Sequence, residues 1–190
     1  MTRLNNGGDR ARIVVTVPLR PSQFESALAE IPDSGVLIET HEAFVHLSRL
    51  ARARLVLVSP FLDETGARWA ISMFQATTAP ERILLCRNFS AFDALPMDCQ
   101  HTLETLGVQI RAYTLIHEKD GRYLCRESFH AKIVLADQVA AYVGSANLLQ
   151  SSKEIMLECG VLLEGRPVRD VHDVVQTMLR LSTSRKSPET

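Results

Sequence analysis

Residues 129–149 read FHAKIVLADQVAAYVGSANLL, and this stretch decides the fold. It contains His-x-Lys, an Asp after four further residues, and Gly-Ser-x-Asn after six more. The apolar runs on either side of Asp137 predict two β-strands, residues 128–136 and 139–144, joined at residues 137–138. Within eighteen residues the pattern includes six positions: His130, Lys132, Asp137, Gly144, Ser145 and Asn147.

The spacing of these polar residues predicts a phosphate-binding site. Side chains two apart on a strand point to the same face, so His130 and Lys132 are expected side by side. Ser145 and Asn147 repeat this relation after the turn and add a hydroxyl and an amide donor. A neutral imidazole can attack phosphorus if a cation holds the non-bridging oxygens and an acid protonates the leaving oxygen. Two adjacent strands would therefore form a cradle for a phosphodiester.

The motif resembles that of the phospholipase D superfamily, whose members cleave phosphodiesters without a metal or other cofactor, through a covalent phosphohistidine. The resemblance implies that His130 is the nucleophile, that Lys132 and Asn147 hold the phosphate, and that Ser145 assists. It also implies an α/β fold in which a mixed β-sheet is flanked by helices on both faces. It is strongest over residues 128–163 and looser over residues 36–61.

Members of this superfamily usually have a glutamate further along the chain that holds the histidine ring. Glu158, in the apolar run LECGVLL, stands eleven positions after Asn147. It is favoured over Glu154 because an unpaired carboxylate inside an apolar strand would be costly. Asp137 and Gly144 complete the motif, and we expect Asp137 to be structural, satisfying backbone groups at the corner of the hairpin.

The reaction needs two histidines, one to attack and one to act as general acid, whereas the chain has one full motif. The second His-x-Lys, at residues 117–119, lacks the later Asp and Gly-Ser-x-Asn, and we interpret it as chance. We therefore expect a homodimer in which two copies of His130 face each other across a two-fold axis. His41 and His46 share a predicted helix at a spacing that does not align them for a metal, so no metal site is predicted.

The polar segment IHEKDGRYLCRESF, residues 116–129, leads directly into the proposed nucleophile. Arginine and tyrosine suit the phosphates and stacked bases of nucleic acids. An ordinary solvated hairpin loop, whose acidic residues offset the charge, explains the segment equally well. The candidate substrate-binding residues here are Lys119, Arg122, Tyr123 and Arg126.

Length and composition indicate one globular domain, residues 11–182, with flexible polar tails at residues 1–10 and 183–190. The chain has 190 residues, 46% of them hydrophobic, and a formal net charge of −1, which argues against a generally basic surface but not against a local basic groove. Its four cysteines show no Cys-x-x-Cys spacing, which argues against zinc or a redox pair. Without a signal core or membrane-length apolar run, we expect a reduced, cytoplasmic protein with no membrane partner.

Strands and helices are predicted to alternate, which favours an α/β domain. Further strands are predicted at residues 36–38, 54–59, 82–86, 108–113 and 155–163. Helices are predicted at residues 21–29, after Thr40, around residues 69–74, at residues 102–106, and from residue 165 to 181.

Three functions fit the sequence. The first is a homodimeric, metal-independent nuclease for DNA or RNA. The second is a phospholipase or phosphatidyl transferase, which would need an apolar entry for lipid, and no amphipathic membrane-docking stretch is evident. The third is a nucleic-acid-binding accessory subunit with little cleavage of its own. Similar proteins occur in bacterial phage-defence loci such as the DISARM type, beside helicases and methyltransferases, so a defence complex is one context that the resemblance implies.

Overall fold

Eleven strands and seven helices form the part of the chain that the computed structural model describes, residues 8–19, 21–30 and 38–185. The strands are β1 Arg10–Thr16, β2 Ile38–Glu39, β3 Arg54–Val58, β4 Glu81–Cys86, β5 Val108–Ala112, β6 Thr114–Lys119, β7 Arg122–Ser128, β8 Lys132–Ala136, β9 Ala140–Gly144, β10 Glu158–Glu164 and β11 Thr183–Ser184. The helices are α1 Gln23–Ala29, α2 Thr40–Leu50, α3 Glu64–Ala76, α4 Ser90–Asp93, α5 Met97–Thr105, α6 Gln150–Glu154 and α7 Pro167–Leu181.

Nine of these strands form one mixed sheet in the order β11-β5-β4-β3-β8-β9-β10-β1-β2. Strands β3, β4 and β5 are parallel, whereas β8 runs antiparallel to β3 and begins an antiparallel series through β9, β10 and β1. The parallel half therefore meets the antiparallel half between β3 and β8, near the centre of the sheet.

Two hydrophobic clusters cover the two faces of the sheet. Alternate residues of β3 point to opposite sides, and Leu55 and Leu57 join the cluster that also contains residues of α2, α3 and α5. Val56 and Val58 join the second cluster, which lies under α7. A strand buried on both faces reads as a continuous apolar run, which explains the sequence RLVLV. The predicted fold class, a mixed sheet flanked by helices on both faces, is confirmed.

Several element boundaries differ from the sequence-based prediction. Strand β1 was not predicted, and it starts at Arg10, inside the expected N-terminal tail, where it pairs with β10. Strand β11 pairs residues 183–184 with β5. The strand predicted at residues 155–163 begins at Glu158, after the unpredicted helix α6. Of the predicted strand at residues 36–38, only Ile38 lies within the described residues, in β2; most of the predicted tails also lies outside them.

The segment that leads into the motif is a separate two-stranded hairpin formed by β6 and β7. Asp120 and Gly121 form its turn with positive φ angles of 52° and 71°, which suit the twist of a two-residue hairpin connection. The chain then leaves the hairpin through residues 129–131 before β8 starts at Lys132, so the strand predicted at residues 128–136 is shorter than expected. Phe129 anchors this connection by stacking on Tyr113, with ring centroids 6.2 Å apart.

Across the described residues, no helix has the length and apolar character needed to cross a membrane.

Candidate active site

His130 and Lys132 are in direct contact, although His130 precedes β8 rather than lying within it. Lys132 Nζ is 2.8 Å from His130 Nδ1 and 3.2 Å from His130 Nε2, and it donates a 2.7 Å hydrogen bond to the His130 carbonyl oxygen. Because Nζ approaches both ring nitrogens at once, the ammonium lies against the imidazole ring. The candidate nucleophile and its cation are therefore side by side.

Lys132 is a buried cation, with 5% of its surface exposed. Burial lowers the pKa of Lys132 from its ordinary value of 10.5; the nearby Glu158 carboxylate acts in the opposite direction, and the positive charge of Arg87 lowers the pKa further. An anionic phosphate beside Nζ would replace part of the lost solvation, so this environment favours binding of an anion.

Ser145 and Glu158 form a second pair in the motif. Ser145 Oγ donates to the Glu158 carboxylate and accepts a 3.0 Å hydrogen bond from Cys159 N. Sequence reasoning assigned Glu158 to the His130 ring, but within the described residues its hydrogen bond is with Ser145 instead. Glu154, the alternative, accepts a hydrogen bond from Gln150 Nε2 at 3.0 Å.

Asn147 lies in the turn after β9, and its backbone and side chain have different surroundings. Its backbone N–H donates to Ser152 Oγ at 3.2 Å, which holds the main chain in place. Its buried Oδ1 has no hydrogen-bond partner among the described residues. That oxygen is an acceptor and is satisfied by a donor, so a role of Asn147 toward a phosphate would rest on the Nδ2 donors of the same amide.

Tyr142 and two glycines shape the turn that carries Ser145 and Asn147. The Tyr142 ring is fully buried, and its hydroxyl accepts a 3.4 Å hydrogen bond from Ala146 N. A Cβ atom on Gly144 would overlap the Tyr142 hydroxyl and lie 2.7 Å from Gly160 Cα. The glycine of the motif is therefore required by close packing against Tyr142, which sequence reasoning did not single out.

Asp137 lies at the opposite end of β8 from His130. Its carboxylate accepts hydrogen bonds from the backbone N–H groups of Arg52 (2.8 Å), Ala53 (3.1 Å) and Arg54 (2.6 Å). Asp137 thus ties the β8–β9 turn to the start of β3, and it takes no part in the cluster around His130.

Two residues beside His130 were missed by sequence reasoning. The Phe61 ring meets the His130 ring edge to face, with centroids 5.8 Å apart, and the Arg87 guanidinium lies 5.4 Å from the Phe61 centroid. Phe61 follows β3 and Arg87 follows β4, two adjacent parallel strands. The carboxyl ends of parallel strands are where α/β proteins commonly bind ligands, and this position is the signal that could have identified both residues.

The four candidate residues in the polar segment lie on the β6–β7 hairpin and are exposed. Lys119 pairs with Arg122 on one face of the hairpin, while Tyr123 pairs with Glu118 on the other. Arg126 occupies the irregularity in the β6–β7 pairing. No hydrogen bond among the described residues joins these side chains to His130 or Lys132.

His117 and Lys119 of the second His-x-Lys lie in β6. Throughout the described ranges, no group of three or more histidine, cysteine, aspartate or glutamate side chains is arranged to hold a metal ion.

Comparison with known proteins identifies a family model and several solved structures to which this chain is similar. A family model described as cardiolipin synthase, PLD-like domain, matches residues 49–180. Solved structures that share the fold include the following three. Nuc, a phospholipase D family member from Salmonella typhimurium, is 9% identical with a TM-score of 0.60, covering 94% of this chain and 99% of Nuc. NucT from Helicobacter pylori is 13% identical with a TM-score of 0.59, covering 93% of this chain and 99% of NucT. Phosphatidylserine synthase from Haemophilus influenzae is 12% identical with a TM-score of 0.55, covering 94% of this chain and 40% of the synthase. No curated protein matches the chain significantly.

Proposed function

The chain belongs to the phospholipase D-like family, and from this premise we propose that it is a metal-independent phosphodiesterase that cleaves DNA or RNA. The observation that carries the proposal is the contact between the His130 imidazole and the Lys132 ammonium, whose Nζ lies 2.8 Å from Nδ1. It combines a nucleophile with a cation that lacks full solvation, which is what attack on an anionic diester requires.

The proposed reaction has two displacements. A ring nitrogen of His130 forms a bond to phosphorus as the bond to the leaving oxygen breaks, and a second histidine protonates that oxygen. Water then attacks the phosphohistidine, gives its proton to the second histidine and releases the phosphate ester. Lys132 and Asn147 hold the non-bridging oxygens, and Ser145 assists while anchored to Glu158.

The second histidine is proposed to be His130 of another copy of the chain. No other histidine among the described residues contacts His130, and one ring cannot attack and protonate in the same displacement. A homodimer with a two-fold axis between the sites would bring two copies together.

The surroundings of His130 favour nucleic acid over lipid. Arg87 and Phe61 offer a guanidinium and an aromatic ring next to the nucleophile, which suit phosphates and bases. An apolar cleft lined by Tyr113, Val174 and Met178 includes no residue of the motif. The exposed hairpin residues Lys119, Arg122, Tyr123 and Arg126 are proposed to extend the contact with nucleic acid.

One observation favours a second candidate, a nucleic-acid-binding accessory subunit with little cleavage of its own. Lys132 Nζ lies within hydrogen-bond distance of both ring nitrogens of His130, so the nucleophile is occupied until the ammonium moves toward a phosphate. In this proposal a partner, such as a helicase or methyltransferase of a defence complex, would bring about that movement.

The test is cleavage of labelled single- and double-stranded DNA and RNA in EDTA. Wild-type protein and His117→Ala, the control for the second His-x-Lys, should cleave, whereas His130→Ala should not. Cleavage that is abolished by EDTA and restored by magnesium would contradict the phosphohistidine mechanism. Binding without cleavage by the wild type would favour the accessory subunit.

A further inference from the structure

An open cleft of about 370 Å³ is lined by residues of the loop after β3 and the loop after β4. Its lining includes Phe61 from the first loop, Arg87 and Asn88 from the second, and Leu149, just beyond the Gly-Ser-x-Asn turn. Phe61 also contacts the His130 ring, so the cleft adjoins the candidate nucleophile.

Arg87 is held in this cleft with part of its side chain unused. Its Nε donates a 3.1 Å hydrogen bond to Ser128 Oγ, and its carbonyl oxygen accepts a 2.6 Å hydrogen bond from Thr114 Oγ1. Its two terminal nitrogens have no hydrogen-bond partner among the described residues. An anchored guanidinium with free terminal donors is already ordered for bidentate binding of a phosphate.

Phe61 contacts both the guanidinium and the candidate nucleophile. Its ring centroid lies 5.4 Å from the guanidinium carbon of Arg87 and 5.8 Å from the centroid of the His130 imidazole. About two fifths of Phe61 is exposed (38%). Lys132 contacts His130 directly and is proposed to hold the phosphate under attack, which leaves the free terminal nitrogens of Arg87 for a second anionic group.

We propose that this cleft is a nucleotide subsite, in which Arg87 binds the phosphate adjacent to the scissile one and Phe61 packs against the base between them. The inference rests on the proposed function and narrows its substrate to a polynucleotide with at least two successive phosphates. Arg87 also acts on the scissile site at a distance, since its charge contributes to the lowered pKa of Lys132. A phosphate bound at Arg87 would offset that effect.

The experiment uses thymidylyl-thymidine that carries a 4-nitrophenyl phosphate diester at its 3′ end or at its 5′ end, so that each chain direction is sampled. Release of nitrophenol reports cleavage of one defined bond, and the internal linkage is either a normal phosphodiester or a neutral methylphosphonate. The readout is the ratio of kcat/KM for these two substrates within each variant. For one direction, the wild type should prefer the charged linkage by about tenfold or more, the scale of one charge-assisted hydrogen-bond pair.

Arg87→Met keeps an apolar stem over Phe61 but removes the donors, so its ratio should fall to about one. Arg87→Lys keeps the charge without the bidentate fork and should give an intermediate ratio. Arg52→Met is the matched control, because the Arg52 side chain is exposed and donates to Thr78 Oγ1 at 3.1 Å, away from the cleft; its ratio should equal that of the wild type.

A wild-type ratio of one in both directions would overturn the subsite. So would an equal loss on both substrates in Arg87→Met, which would place Arg87 at the scissile phosphate instead. If the wild type releases no nitrophenol from any ester, the phosphodiesterase proposal fails. The subsite is then judged by fluorescence anisotropy with labelled thymidylyl-thymidine: the same preference for the charged linkage, lost in Arg87→Met, supports it, and its absence refutes it.

Discussion

Lys132 is a buried cation whose charge opposes folding while serving the proposed chemistry. Burial lowers its pKa below the ordinary 10.5, so the folded state binds this proton less tightly than the unfolded state does. The contribution to the free energy of unfolding is therefore unfavourable below the folded pKa and is relieved as the pH rises toward the unfolded value. Lys132→Met should abolish cleavage and raise the melting temperature at neutral pH.

Calorimetry at a series of pH values checks this prediction. The difference in melting temperature between Lys132→Met and the wild type should shrink as the pH approaches the pKa of a free lysine, because the wild type then loses its buried charge. Lys153→Met, which changes an exposed lysine of α6, is the control and should show no gap. A lower melting temperature for Lys132→Met, or a gap that does not vary with pH, would contradict the argument.

Tyr142 supports the turn of the motif through its hydroxyl. Burial raises the pKa of Tyr142 to about 12, so the hydroxyl is protonated at neutral pH and accepts from Ala146 N through its lone pairs. Tyr142→Phe leaves that backbone N–H without its partner, at a cost of about 1 kcal/mol. We expect the melting temperature to fall by roughly 2–4 °C and cleavage to weaken as Ser145 and Asn147 lose their fixed positions.

Thermal melts and kcat for Tyr142→Phe measure both effects. Tyr123→Phe, at an exposed position on the hairpin, is the stability control. An unchanged melting temperature and kcat in Tyr142→Phe would show that the turn does not depend on this hydroxyl.

At the residue scale, spacing within one segment was sufficient to identify the contact between His130 and Lys132. Phe61 and Arg87 belong to loops after other strands, and only the packing of the sheet brings them to His130. The pairing of Glu158 with Ser145 depends on the register of β9 against β10, and the sequence does not state that register. A motif within one segment predicts contacts within that segment, whereas contacts between residues of different strands can be predicted only when the order and register of the strands are known.

At the element scale, strands with two buried faces were predicted, and so were β5 and β10, which are buried mainly on one face. β3 and β8 have nearly continuous burial and stand out as apolar runs. In β1 only the last three residues are buried, so its sequence, RARIVVT, has a weak signal beside a polar N-terminus. The hairpin strands β6 and β7 are exposed on both faces and have no alternation to detect.

The start of β3 is tied to the β8–β9 turn by one carboxylate. Asp137 accepts three backbone hydrogen bonds at the start of β3 and adopts a positive φ of 53°. Asp137→Asn tolerates this φ but turns one acceptor into a donor, and we expect a loss of about 1–3 kcal/mol in the free energy of unfolding. Asp137→Ala should lose more, because it removes every acceptor and disfavours the backbone conformation.

Urea unfolding of the two variants gives this order directly. Gln138→Ala, at the next and exposed position of the same turn, is the matched control and should unfold close to the wild type. An Asp137→Ala variant as stable as the wild type would show that these hydrogen bonds to the start of β3 do not contribute to stability.

At the scale of the whole molecule, the alternation of strands and helices predicts an α/β domain but not the order of strands in its sheet. The order matters because the β3–β8 junction joins the parallel and antiparallel halves. There the loop after β3, the loop after β4 and the start of β8 bring together Phe61, Arg87 and His130. The formal charge of −1 does not reveal that Arg87 and Lys132 lie close to His130, because the local field depends on where the charges lie.

The proposed two-fold site, in which two copies of the chain each supply His130, predicts how dimers with one mutated subunit behave. If each cleavage needs His130 from two copies, an inactive subunit disables every dimer that it enters. For wild type and His130→Ala co-expressed at equal levels and assembled at random, only about one quarter of the dimers would contain two intact histidines. The activity per wild-type subunit should then fall to about half that of the pure wild type, and the total activity of mixtures of other compositions should follow the square of the wild-type fraction.

Mass spectrometry of differently tagged subunits gives the composition, and cleavage in EDTA gives the activity. The control mixes the wild type with His117→Ala instead of His130→Ala. The total activity should then stay the same at every ratio of the two subunits. Activity that is linear in the wild-type fraction, together with a monomeric mass by light scattering, would mean that one chain contains both the nucleophile and the acid. The general acid would then have to be a group other than a second His130, and the two-fold site would be rejected.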